Sequence, residues 1–259
     1  MPIALLRSLS RLSRLSRLSR SRRCMSVAAI TAGALLLTAC APWRILTAAD
    51  LAREARPYTA APEQPTRRLL VVGDSTAVGT GADAAADSLV GLIGQTHPQW
   101  RIDNLAANGA KFEDVARQLQ EAAGGYDLVL VMAGGNDVIR FTSEDKLRSD
   151  MDRTLALARQ RGAQVVLMPC GDVGHAPFFI PPLSWGMSRR SERLHTMAQA
   201  VAATHGARYV RLLKPRAQDP FLLHSKALHA ADGLHPSSAG YEEWFSELLA
   251  QGGLAGVAP

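Results

Sequence analysis

The sequence predicts a three-layer α/β fold built on a parallel sheet. Three observations lead there. From Leu69 onward, short Val- and Leu-rich runs alternate with longer stretches of helical periodicity. The runs are apolar at every position, as strands covered on both faces are. Helices between successive strands require right-handed crossovers, which put a helical layer on each face of one sheet.

Each element follows in turn. Leu69–Val72 is the first strand, and it stops at Gly73 with Ser75 two residues later. A helix is expected over Ser88–Gln95, then a strand at Arg101–Leu105 and a helix near Phe112–Ala123. Asp127–Met132 is the third strand, again ending in glycines. Thr142 or Ser143 caps a helix reaching Arg161, with Glu144 and Asp145 in a first turn that suits the helix dipole. Gln164–Met168 is the fourth strand. The proline-rich stretch Gly171–Trp185 reads as irregular; Phe178, Phe179 and Trp185 there could form an acyl pocket or lid, or satellite packing. A helix near Ser188–Thr204, a fifth strand at Arg208–Leu212, a long loop and a last helix over Ser238–Leu249 complete the body.

The chain has 259 residues, a net charge of +6 and a pI near 9.6. A basic balance of this kind points to nucleic acid or an anionic membrane, but its location excludes a nucleic-acid patch on the body. Seven arginines lie within residues 1–23, and residues 1–40 contain no acid. Without those seven, 22 basic residues face 23 acidic ones. The body is therefore near neutral. The cysteines Cys24, Cys40 and Cys170 have no metal-ligand spacing and allow at most one disulfide. Cys170 ends an apolar run and reads as a small buried hydrophobe.

Residues 8–20 repeat Ser, Arg and Leu with low complexity, and Cys24 to Trp43 carries no charge. A basic start before an apolar segment is a secretory signal or a membrane anchor. Leu37, Thr38, Ala39 and Cys40 resemble the bacterial lipobox, which implies cleavage before Cys40 and its lipidation. Three alternatives stay open: an uncleaved twenty-residue span, a twin-arginine signal at Arg22 and Arg23, and an ordinary signal peptide with a chance cysteine. In each, the body is exported to the bacterial envelope. The expected organisation is 1–43 signal or anchor, 44–67 linker, 68–252 catalytic domain and 253–259 tail.

Four strand ends or loops hold polar residues that a plain core does not need. They are Gly73-Asp74-Ser75, the segment from Asn104 to Ala110 with Gly109, Gly134-Gly135-Asn136-Asp137, and Asp232-Gly233-Leu234-His235-Pro236-Ser237. In this order and after successive strands, the blocks resemble those of the SGNH hydrolases, the GDSL-type esterases and lipases. The one departure is Thr76, where the family name expects leucine. The resemblance implies a flavodoxin-like sheet of five parallel strands and ester hydrolysis through a serine.

The chemistry of the residues agrees. A serine at the carboxyl end of a buried strand sits where open α/β sheets put their ligands. Its hydroxyl needs a base, and His235 is the candidate. Asp232, three residues earlier, can hold the imidazole Nδ1–H and fix its tautomer. The candidate oxyanion donors are the Ser75 and Gly109 backbone amides and the Asn136 side chain. Asp74 and Asp137 read as scaffold, bonding loop amides. His195 and His205 fall on a helix and are expected to be solvated; His224 and His229 could line the mouth. No metal or organic cofactor is implied, and nothing sets an oligomeric state. The expected partners are a small-molecule or glycan ester and, through the N-terminus, a membrane. Two rival readings share the fold: an O-deacetylase of envelope glycans, and a catalytically inactive envelope-binding lipoprotein.

Overall fold

Leu69, Leu70, Val71 and Val72 are wholly buried, as an unbroken apolar run must be in the middle of a covered sheet. They form the centre of β1, Arg67–Gly73. The structure, a computed structural model, describes residues 43–255. Residues 1–42 of the signal or anchor segment, Cys40 included, lie outside the described residues, as do residues 256–259 of the tail.

Four more strands join β1: β2 Trp100–Asn104, β3 Tyr126–Met132, β4 Gly162–Leu167 and β5 Arg208–Tyr209. All pairings are parallel, in the order β2-β1-β3-β4-β5. This is the flavodoxin-like order. β5 is shorter than expected: beyond Tyr209 only the Val210 amide still bonds across, to the Leu167 carbonyl at 2.9 Å.

From β1 onward the α-helices are α1 Ser75–Val78, α2 Leu89–Thr96, α3 Phe112–Glu121, α4 Gly135–Ile139, α5 Glu144–Arg161, α6 Leu183–Thr204, α7 Pro220–Leu223, α8 Ser225–Leu228 and α9 Ser238–Ala250. The chain steps from β1 outward to β2, then returns past β1 to β3 and continues the other way. Right-handed crossovers therefore place α2 on one face and α3, α5 and α6 on the other. The packing agrees: α3 lies on α5, α5 on α6, and α9 beside α2. α6 starts five residues before the expected Ser188, because Pro182 serves as its N-cap and no proline follows. Ser143 caps α5 by position, without a side-chain bond.

Part of the segment read as a linker is built into the domain. Ala60 exchanges both backbone bonds with Ile102 of β2, at 3.1 and 2.8 Å, and the Thr66 amide bonds the Gln99 carbonyl at 3.0 Å. Ala55 and Tyr58 pack on the core. The prolines of this stretch keep it extended, and an extended chain can pair with an edge strand.

Candidate active site

The sheet order puts the carboxyl ends of β1 and β3 side by side, where the chain reverses its direction of winding. Open α/β sheets leave a crevice at this point. Gly73, the last residue of β1, pairs with Met132 of β3. A Cβ at Gly73 would stand 1.9 Å from the Met132 carbonyl oxygen, so only glycine lets the strands stay this close. The Gln118 side chain of α3 serves as a replacement strand edge: it accepts from the Gly73 amide at 2.8 Å and donates to the Gly73 carbonyl at 3.0 Å.

Asp74 follows as the N-cap of α1. Its carboxylate accepts from the Thr76 amide at 2.9 Å and the Thr76 hydroxyl at 2.7 Å, and the Gly135 amide also faces it. Burial raises its pKa despite these bonds. Ser75 is thereby held as the first residue of α1, where its own amide has no acceptor inside the helix.

The Ser75 hydroxyl lies 2.9 Å from His235 Nε2 and donates to it, although the two residues are 160 positions apart. On the other side of the ring, Nδ1–H donates to Asp232 Oδ2 at 2.6 Å. Asp232 is wholly buried. Its second oxygen accepts from the Leu234 and His235 amides at 2.8 and 3.1 Å. Burial alone would raise this carboxyl; the His235 ring and the two amides outweigh it and hold the pKa below the usual aspartate value.

Ser75, Asn136 and His235 border one cavity of about 100 Å³. Asn136 enters from the start of α4, and its side-chain amide has no partner among the described residues. Gly109 does not border this cavity. It lines a neighbouring groove with Asn108 and Arg117, its φ is +78°, and Arg140 Nη2 would lie 3.0 Å from a Cβ there. The loop that carries it runs alongside the end of β1, with the Ala107 amide bonded to the Gly73 carbonyl at 3.1 Å. Asp137 bonds the first amide of α3, that of Phe112 at 3.1 Å, and not a loop amide.

Several histidines and aromatics depart from expectation. His195 is buried, not solvated: Nε2–H donates to the Cys170 carbonyl at 2.7 Å and Nδ1 accepts from the Tyr209 hydroxyl at 2.5 Å. It falls on the inward stripe of α6 with Ser191, Leu194 and Ala198. His229 borders the cavity and His224 does not. Nor do Phe178, Phe179 and Trp185. The Phe178 amide bonds the Gly233 carbonyl at 2.8 Å, Phe179 packs on the core, and Trp185 is exposed. The cavity wall comes instead from Cys170, Val173, Leu212, Phe221, Leu234 and Trp244.

A second buried histidine–carboxylate cluster forms part of that wall: Asp172 and Asp219 border the cavity, and His175 stands behind them. His175 Nδ1 lies 2.6 Å from Asp219 Oδ2, and its Nε2 is 3.5 Å from Asp172 Oδ2. No sequence pattern marks it, because its members sit in two loops, His175 and Asp219 being 44 residues apart. Among the described residues no group of three or more His, Cys, Asp or Glu side chains is arranged to hold a metal ion.

Residues 71–243 match the GDSL-like Lipase/Acylhydrolase family. The chain is similar to the GDSL-like esterase Rv1075c of Mycobacterium tuberculosis, 28% identical over 184 residues. The match covers 67% of this chain and spans 57% of that relative's length. Among solved structures, TesA superposes with a TM-score of 0.56 and 25% identity, over 72% of this chain and 98% of that one. Axe2, an acetylxylan esterase from Geobacillus stearothermophilus, shares the fold with a TM-score of 0.55 and 20% identity, over 72% and 94% of the two chains.

Proposed function

The chain belongs to the GDSL-like lipase/acylhydrolase family, and on that premise we propose that it is an exported serine hydrolase cleaving carboxylic esters through an acyl-enzyme on Ser75. One observation carries this reading: the unbroken chain of hydrogen bonds from Ser75 Oγ through the His235 ring to Asp232.

As Ser75 Oγ bonds to the ester carbonyl carbon, its proton passes to His235 Nε2. The imidazolium that forms faces the Asp232 carboxylate, which stays ionised because its hydrogen bonds hold its pKa low. The carbonyl oxygen becomes an oxyanion. The donors assigned to it are the Ser75 and Asn136 amides, which border the cavity, and the Gly109 amide on the loop beside the end of β1; none of them has another acceptor among the described residues. Collapse of the intermediate breaks the bond to the alcohol oxygen, which leaves with the proton from Nε2. Water then repeats the sequence on the acyl-enzyme, releasing the carboxylic acid and restoring Ser75. General base and oxyanion donors each contribute roughly 10²–10⁴-fold.

Export rests on the arginine-rich start, the charge-free stretch from Cys24 to Trp43 and the residues Leu37 to Cys40. Cys40 is the lipidation site in this reading, and the neutral body stands outside the cytoplasmic membrane.

The test is hydrolysis of p-nitrophenyl acetate by the purified protein. Ser75→Ala reduces turnover to background with an unchanged melting curve. Turnover that persists in the folded variant removes Ser75 from its role.

A further inference from the structure

Resting on the esterase reading, we propose that the cavity beside Ser75 is an acyl pocket, walled on its inner side and open on the other, and that its closed side restricts the enzyme to short acyl groups while the alcohol side faces solvent. The volume sets the first limit. A dry apolar cavity of about 150 Å³ accepts a benzene ring, and one water occupies about 30 Å³ of liquid. The cavity here measures about 100 Å³, which leaves room for about two to four carbon atoms by that comparison.

The walls set the second limit. On one side Phe221 and Trp244 pack with ring centroids 5.6 Å apart, and Tyr241 braces Trp244 edge-on at 6.0 Å. Val173 and Leu212 close the wall formed after β4 and β5, each less than a tenth exposed. On the same wall Asp172 and Asp219 border the cavity themselves, with His175 paired to both behind them, so a longer chain would be driven against this cluster. These side chains are only 4–6% exposed. They cannot turn aside, because every carboxylate is already engaged. Asp172 Oδ1 accepts from the Gly174 amide at 2.8 Å and Asp219 Oδ1 from the Phe221 amide at 2.9 Å. Their remaining oxygens face His175. An acyl tail driven against this cluster would bury charge next to hydrocarbon and leave polar groups without partners. The cluster also ties the loop after β4 to the loop before α7, so both walls are fixed together.

The chemistry assigns the closed side to the acyl group. Between the two half-reactions the alcohol must depart from beside His235 Nε2 and water must take its place, which requires a way out to solvent. The acyl group stays bonded to Ser75 Oγ throughout and needs none.

The experiment compares kcat/KM for p-nitrophenyl acetate, butyrate and octanoate, and for acetates of alcohols of increasing size. Wild type is expected to lose at least about 10-fold from butyrate to octanoate, the scale of misfitted methylenes in a closed pocket, and to vary little with the alcohol. Leu212→Ala and, should that variant melt early, Val173→Ala are expected to raise the octanoate-to-acetate ratio by about 10-fold. Octanoate turned over as well as butyrate in a Ser75-dependent reaction overturns the pocket assignment alone. So does an unchanged ratio in both folded variants. Absence of Ser75-dependent turnover on every ester overturns the esterase reading and the pocket with it.

Discussion

The Asn136 amide borders the cavity beside Ser75 and donates to nothing among the described residues. A polar group left free next to a nucleophile is matched to an acceptor that exists only during reaction. Asn136→Ala is therefore expected to lower kcat by about 10²–10³-fold while KM moves little. Steady-state kinetics read this directly; an equal rise in KM with kcat intact would make Asn136 a binding residue. Its neighbour Asp137 poses the opposite case. It is wholly buried, Oδ1 has no hydrogen-bond partner among the described residues, and burial pushes its pKa up to about 6 against the bonds from Phe112 and Thr142. The folded pKa exceeds the unfolded value of about 3.9, so the fold holds a proton that the unfolded chain has lost. The stability this gives is complete below about pH 4 and is lost as pH rises through about 6. Asp137→Asn removes the dependence. The melting-temperature difference between variant and wild type is expected to be most favourable to the variant near pH 8, and to move steadily toward wild type as pH falls to 5. A difference that does not change with pH would contradict the assignment.

Among the elements, the junction of β1 and α1 tolerates least. Gly73→Ala drives a Cβ into the Met132 carbonyl at 1.9 Å and is expected to cost more than about 4 kcal/mol, the exceptional end of single substitutions. Gly125→Ala, with nothing within 4 Å of its Cβ, is the control and should change urea unfolding by less than about 1 kcal/mol. The apolar runs of β1 and β3 made these strands readable from sequence within two residues. β5 misled for a physical reason: Leu212 and Leu213 are buried past the point where pairing with β4 ends, Leu212 against the cavity, so their apolarity reported burial and not pairing. The inward position of His195 was legible in principle. Ser191, Leu194, His195 and Ala198 follow helical spacing, and the polar neighbours Glu192 and Arg193 hid it. Burial pushes that imidazole down to about 4. It stays neutral and pins β5 and the Cys170 loop together.

At the scale of the whole molecule, the four polar blocks were legible because each is contiguous and ends a strand. A parallel sheet gathers all such ends on one edge, which brings positions 75 and 235 together without any local signal linking them. The acyl wall was not legible. Leu212, Phe221 and Trp244 look like ordinary core residues, and the cluster of Asp172, His175 and Asp219 joins two loops with no periodicity. The charge of the chain is segregated: residues 1–23 carry seven arginines and no acid, ahead of a near-neutral domain. That division is what the proposed export requires. Cys40→Ala is expected to shift the protein from the membrane fraction to the soluble fraction of the envelope while leaving ester turnover intact; unchanged fractionation would contradict lipidation at that residue.

The central claim is a serine activated by an imidazole from the far end of the chain. Incubation with a fluorophosphonate, followed by mass spectrometry of the intact protein and its peptides, tests it most directly. One adduct per chain, on the peptide containing Ser75 and lost in His235→Ala with the fold intact, is the predicted result. A folded wild-type protein that takes up no adduct, or takes it up on another residue, would contradict the claim.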